Sequence, residues 1–336
     1  MSKWYASVGA DADTVVSTRI RLARNIAGIP FPSRMSAEQL KSVNESVRDA
    51  LFSDAKCREQ FKYIEMDTLP DITAMSLAER HLISPEFAQN RNGKALLLSD
   101  DESVSIMLCE EDHIRIQVMR AGLALDEAYA EADRIDDILS GKLTFAFNER
   151  LGYLTECPTN LGTGLRASLM LHLPALEANG AINRLAASVS KIGLTIRGTY
   201  GEGSRAEAAM YQLSNQVTLG ISEKAAIDNL KSIAAQTISQ ERNVRRSLDP
   251  DMIEDAAFRA LGELKYARML SSEEFMELIS KVRLGISMGI IKDVGLTQIG
   301  EIINMAGPAG IQAAAGKPLE PAERDKLRAK TVRERL

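Results

Sequence analysis

The chain is poor in cysteine and histidine, has a single tryptophan, and shows no excess of positive charge. Its three cysteines, Cys57, Cys109 and Cys157, are too few and too scattered for a disulfide framework or a zinc site. Three histidines, His81, His113 and His172, leave little material for a histidine-based metal centre. A formal net charge of −5 at pH 7 argues against a general nucleic-acid binder, which carries a basic surplus. No apolar run reaches membrane-spanning length, and no charged segment followed by a hydrophobic one opens the sequence. A reduced, cytoplasmic setting is therefore expected. There is no GxxxxGK(S/T) phosphate loop, which argues against a Walker-type ATPase. Gly162-x-Gly164-x-x-Ala167 loosely matches a dinucleotide fingerprint, but it follows a Pro-Thr-Asn turn rather than a hydrophobic strand.

What is present fits 336 residues of globular composition, 45% hydrophobic and 26% charged, enough for one large domain or two ordinary ones. Arg19 and Arg21 lie two apart between Ile20 and Leu22, so a strand would project both cations from one face. An amphipathic helix is predicted over 37–53 after the N-cap Ser36, and a shorter one over 76–83 carrying His81. Residues 103–118 alternate as paired strands, broken by Glu110-Glu111-Asp112, with Glu111, His113 and Arg115 on one parity. A helix is expected at 125–140 and a strand at 143–147. In Cys157-Pro158-Thr159-Asn160-Leu161-Gly162-Thr163-Gly164-Leu165-Arg166, both glycines are suited to positive φ. Leu165, Leu169, Leu173 and Leu176 then recur at helical spacing, which predicts helices over 165–178 and 181–192 with Arg166 in a first turn. A strand from Leu194 runs into a glycine-rich turn bearing Arg197 and Glu202. Beyond Ser222 the pattern is helical, at 222–245, 252–267, 272–283 and 296–305, with a break near 243–250 and a charged tail.

Five arginines (Arg19, Arg21, Arg115, Arg166, Arg197), two glutamates (Glu111, Glu202) and Cys157 thus fall at strand ends or turns. Guanidinium forks bind phosphate oxygens bidentately and keep their proton, so a ring of them answers a polyanion. Phosphoryl transfer needs chiefly positioning and charge neutralisation. Mg²⁺ would arrive with the nucleotide, held by phosphates and water. Two carboxylates could grip a guanidinium acceptor and take its proton, beside a thiolate stabilised by cations.

CPTNLGTGLRAS, the STRIR strand, the EEDHIRI segment and the RGTYGE turn, in this chain's own order, together resemble the phosphagen (guanidino) kinases over roughly residues 14–243. The resemblance implies an α+β fold: a catalytic domain of antiparallel sheet flanked by helices over 1–243, then an all-helical C-terminal domain over 244–336. It implies Glu111, Glu202 and Cys157 as catalytic residues. It places ATP on Ser17, Thr18, Arg19, Ile20 and Arg21, on His81 and Arg115, on Arg166, Ala167, Ser168, Leu169 and Met170, and on Arg197, Gly198, Thr199, Tyr200 and Gly201. Creatine and arginine kinases carry a helical domain before the STRIR-like strand, whereas sixteen residues precede Ser17 and extra helices follow. That layout resembles the bacterial protein-arginine kinases, and the expected site is open enough for a polypeptide. The tail Arg324-Asp325-Lys326-Leu327-Arg328-Ala329 is similar to their RDxxRA motif, implying phosphoarginine binding at Arg324, Asp325, Arg328 and Ala329. The partners implied are protein substrates with exposed arginines, a zinc-binding activator, a Clp-type protease system and a second copy of the chain. Cys109 stands where the family has asparagine. A kinase for free arginine or another small guanidino compound, and a non-catalytic phosphoarginine reader, are the rival readings.

Overall fold

The computed structural model describes residues 2–198 and 207–336. The alternating stretch near the start is β1 (Val15–Arg24), with Ile20 and Leu22 fully buried. α1 (Ala37–Phe52) begins on Ser36, whose side chain accepts from the Gln39 N–H in a reciprocal capping box. Then come α2 (Ala55–Gln60), β2 (Phe61–Glu65), α3 (Asp71–Glu79), α4 (Pro85–Gln89), β3 (Ala95–Ser99), β4 (Val104–Leu108), β5 (Ile114–Ala121) and α5 (Leu125–Ser140). A short ribbon of β6 (Phe147–Asn148) and β7 (Gly152–Tyr153) precedes β8 (Leu165–His172), α6 (Pro174–Ala178), α7 (Ile182–Ser190), β9 (Leu194–Gly198), β10 (Met210–Asn215) and α8 (Glu223–Arg246). The chain ends in α9 (Pro250–Tyr266), α10 (Ser272–Ser287), α11 (Leu296–Ala306), α12 (Pro308–Ala315) and α13 (Pro321–Arg333).

Eight strands form one sheet in the order β2-β3-β4-β5-β1-β8-β10-β9, and every pairing is antiparallel. β1 lies at its centre. On one face Ile20, Leu22, Ile116, Leu165 and Leu169 pack with Val47 of α1, Ile135 of α5 and Leu230 of α8. Each such side chain, fully buried, stabilises the fold by about 1.5–3 kcal/mol. The opposite face, near β1, is left to polar side chains. Residues of α9, α10, α11 and α13, Leu264, Ile279, Ile302 and Val332 among them, make a separate core.

Three expectations are corrected. Residues 165–172 are a strand, and helix begins only at Pro174. A four-residue leucine spacing satisfies period two as well as period 3.6, and the parity of Leu165, Ala167, Leu169 and Leu171, all buried, decides for the strand. Arg166 therefore sits on a strand in the middle of the sheet, not in the first turn of a helix. The helix expected at 76–83 ends at Glu79, and His81 lies beyond it at φ 59, its carbonyl accepting from Gln117 Nε2 at 2.8 Å. The strand expected at 143–147 reduces to a single bridge of Phe145 to Ile26 and the two-residue β6.

A polar seam joins the sheet to the C-terminal helices. Glu241 of α8, fully buried, accepts from the Ala175 and Leu176 N–H groups at the start of α6 at 3.1 and 2.9 Å, and from Arg245 Nε at 2.8 Å. Arg245 also donates to the carbonyls of Asp13 and His172, and Arg283 of α10 donates to Ala12 O at 2.6 Å. Glu241→Ala would strip α6 of its cap and leave Arg245 buried with less counter-charge. A loss of about 3–5 kcal/mol is expected in urea unfolding.

Candidate active site

Because side chains alternate along a strand, the polar face of the sheet collects the arginines without any special loop. Arg19 and Arg21 project from β1, with Arg115 and Gln117 on β5, Arg166 and Ser168 on β8, and Gln212 on β10. Arg21 stands directly opposite Arg166 in the register, and Arg19 opposite Ser168. Arg19 donates to Gln212 Oε1 at 2.7 Å. Arg197, on edge strand β9, donates through Nε to Thr195 Oγ1 at 3.3 Å.

Two cavities open on this face. The larger, about 760 Å³, has Arg19, Arg21, Arg115, Ser17, Ser168 and His81 among its walls, and is completed by α3 and α12. The smaller, about 170 Å³, is lined by Glu111, Cys157, Thr159, Asn160 and Arg166. Arg21 and Arg115 line both. They are the partition.

The cations of this partition are buried close to one another. Burial and then the charge of Arg115 lower Arg19 to about 10, while burial and the charges of Arg19, Arg115 and Arg166 hold Arg21 well below the usual range. Arginine keeps its proton at neutral pH all the same, so both shifts express crowding of cations. Arg21 Nε is buried and lacks a hydrogen-bond partner among the described residues. A polyphosphate would relieve both deficits.

The three adjacent acids have three fates. Glu110 turns back to Ser84 Oγ and to the Arg115 guanidinium. Burial would raise its pKa, but the charge of Arg115 and those hydrogen bonds hold it below the ordinary value. Glu111 is exposed on the small cavity. Asp112 is buried and structural, accepting from Asn25 Nδ2 at 2.6 Å and the Glu156 N–H at 2.8 Å. His113, on the same sequence parity as Glu111, is buried too. Its Nδ1 accepts from the Ile26 N–H, so Nε2 is the nitrogen that donates to Pro30 O at 2.7 Å. Cys109 opens this hairpin at φ 58, a left-handed conformation that asparagine adopts more easily than cysteine. Its thiol, buried among apolar neighbours, is pushed up to about 12.

The turn after β7 is shaped by its glycines. Gly162 and Gly164 have φ of +110° and +65°, and a Cβ would lie 2.2 Å from Thr218 O and 2.6 Å from Ala23 O respectively. That turn sets Cys157 Sγ 3.1 Å from Thr159 Oγ1, and Arg166 donates to Thr159 O and Asn160 Oδ1. Thiol and arginine thus share one rigid frame.

Ala167 and Leu169 point into the core and Thr18 and Ile20 are fully buried, so among 17–21 and 166–170 the residues facing the cavities are Ser17, Arg19, Arg21, Arg166, Ser168 and Met170. Glu202, Thr199, Tyr200 and Gly201 lie outside the described residues, and Gly198 ends β9. In the tail, Arg328 is buried and donates to Leu270 O, Ala306 O and Asp325, while Arg324 is partly exposed. Ala329 is part of the helical core. Sequence reasoning passed over Glu110, Gln117, Gln212 and the cavity residues of α12. Parity with Arg115 would have found Gln117; the others come together only in the fold.

Residues 42–244 match the ATP:guanido phosphotransferase C-terminal catalytic domain, and residues 250–336 the protein-arginine kinase McsB C-terminal domain. A protein-arginine kinase of Halothermothrix orenii is 47% identical over all of this chain and 97% of its own length. The chain belongs to the protein-arginine kinases. Another of these kinases, from Brevibacillus brevis, is 46% identical over 100% of this chain and 95% of its own. Among solved structures, the duplicated taurocyamine kinase of Schistosoma mansoni, bound to transition-state-analogue components, superposes with a TM-score of 0.63 at 25% identity, over 77% of this chain and 39% of that one. Lombricine kinase shares the fold at the same TM-score and 23% identity, over 74% and 72% of the two chains. This protein-arginine kinase is thus an ATP-dependent enzyme of α+β phosphagen-kinase fold with a helical C-terminal region. No helix among the described residues is long and apolar enough to cross a membrane.

His81 adds a simple expectation. Desolvation within the cavity, where the side chain remains exposed to solvent, and then the nearby Arg19 charge lower its pKa, so the ring is neutral at pH 7. In His81→Asn, KM for ATP should rise a few-fold while the pH profile of kcat/KM between pH 6 and 8 keeps its shape. A lost inflection in that range would show that His81 titrates there.

Proposed function

We propose that this enzyme transfers the γ-phosphoryl group of Mg-ATP to the guanidinium of arginine side chains in proteins. The observation that carries the proposal is the pair of cavities meeting at Arg21 and Arg115. The larger takes the nucleotide, with Mg²⁺ held by phosphate oxygens and water. The smaller takes the acceptor guanidinium against Glu111 and Cys157, with Glu202 as the second carboxylate. A guanidinium nitrogen attacks the γ-phosphorus as the bond to the β–γ bridging oxygen breaks. The proton leaving that nitrogen passes to Glu111, and ADP departs with its charge on the arginines. Exposure of Glu111 favours an acceptor presented on a polypeptide.

We place the catalytic unit at 1–243 and the helical unit at 244–336. In the tail, Arg324 and Asp325 are the accessible part of the phosphoarginine site, and Arg328 and Ala329 hold its frame. A zinc-binding activator, a Clp-type protease system and a second copy of the chain are the proposed partners, in a cytoplasmic setting.

The test is mass spectrometry of an arginine-containing protein incubated with Mg-ATP and the enzyme, kept at neutral pH because the P–N bond is acid-labile. Phosphate on arginine supports the reading. ATP consumed on free arginine with the protein unmodified would transfer the assignment to the small-molecule kinase.

A further inference from the structure

The larger cavity has two unlike ends. One is the arginine floor; at the other, Met75 and Ala78 of α3 and Pro308 and Ala309 of α12 supply apolar surface beside Glu79 and Gln312. The two helices are 230 residues apart in sequence, and a carboxylate ties them. Glu79, the last residue of α3, accepts from the Ala309 N–H at 2.9 and 3.0 Å and from the Gly310 N–H at 2.7 Å. Those N–H groups are among the ones a helix cannot satisfy internally at its start, and the helix dipole favours an anion there. The approach is close: a Cβ on Gly307 would lie 2.4 Å from Glu79 Cδ and Oε2. From the other side of this junction Arg328 donates to Ala306 O at 2.8 Å.

We propose that Glu79 is a positioning residue for nucleotide binding, acting through α12 to make the C-terminal helices one wall of the nucleotide cavity. The proposal rests on the nucleotide reading of that cavity. The base lies against Met75, Ala78, Pro308 and Ala309, and the triphosphate runs to the arginines. Glu79 also lines the cavity itself, but its contribution to binding runs through the helix it holds. Electrostatics alone makes the opposite forecast: a carboxylate in the wall of an anion site repels its ligand, so removing it should tighten binding. The sign of the effect separates the two.

The experiment is calorimetric titration of the full-length protein with the non-hydrolysable analogue AMP-PNP. In Glu79→Ala the Kd should rise about fivefold or more, and KM for ATP should rise in step while kcat falls less than twofold. Glu79→Gln keeps one acceptor oxygen and should fall between. Gly307→Ala keeps the charge but crowds the carboxylate off its N–H partners, and should also weaken binding. Unchanged or tighter binding in a folded Glu79→Ala protein overturns the proposal. A second measurement needs no variant: AMP-PNP should slow hydrogen exchange across amides 309–316 of the wild type, and unaltered exchange there also overturns it. Failure of the wild type to bind AMP-PNP at all would remove the nucleotide reading itself, and the proposal with it.

Discussion

Glu111→Gln should lower phosphoryl transfer by about 10²–10⁴ while the Kd for AMP-PNP changes less than twofold. Of the two cavities Glu111 lines the smaller, and Arg21 and Arg115 stand between it and the larger, so its loss should leave the nucleotide contacts standing. The amide keeps the shape of the side chain but can neither balance the acceptor's charge nor take its proton. A parallel Glu110→Gln variant is the informative control. Glu110 holds Arg115 and Ser84, so its substitution should disturb nucleotide affinity as well as turnover. Measuring single-turnover rates and analogue binding on both variants checks the division of labour. Equal effects on binding in the two would mean that the acids act as one unit.

Arg21→Ala should show a second, two-sided result. Transfer should fall by about 10³–10⁵, the scale of an arginine that neutralises a transferring phosphoryl group. The protein itself, by contrast, should become more stable, by about 0.5–2 kcal/mol in urea unfolding, because a cation that is buried and then crowded by Arg19, Arg115 and Arg166 has gone. Arg21→Lys should recover little activity, since an ammonium lacks the fork that can face both cavities. A variant that loses activity and stability together would make Arg21 a structural residue rather than a charge held ready for its ligand.

Much of this could be read from residue order alone. Arg19 and Arg21 are legible as a face because Ile20 and Leu22 fix the parity, and β5 places Arg115 by the same rule. The leucines of 165–176 misled because a spacing of four fits strand and helix alike, and only the partners of β8 in the sheet decide between them. Of the acids at 110–112, parity with Arg115 singled out Glu111, but the roles of Glu110 and Asp112 could not be read, since they depend on Ser84, Arg115 and Asn25 arriving from other elements. The carboxylate of Glu79 beneath α12 had no local signature. A side chain meeting a backbone 230 residues away leaves no periodicity to detect.

The partition of two arginines has a further consequence for how the substrates meet. An empty site presents clustered cations to an acceptor that is itself cationic, on a chain whose net charge is −5. On the nucleotide assignment proposed above, a triphosphate over Arg21 and Arg115 would offset their charge and lessen the repulsion of the guanidinium. By thermodynamic linkage the favour is returned: a bound acceptor must strengthen the hold on the nucleotide by the same factor. On that same assignment, the arginine floor would make each substrate an effector for the other.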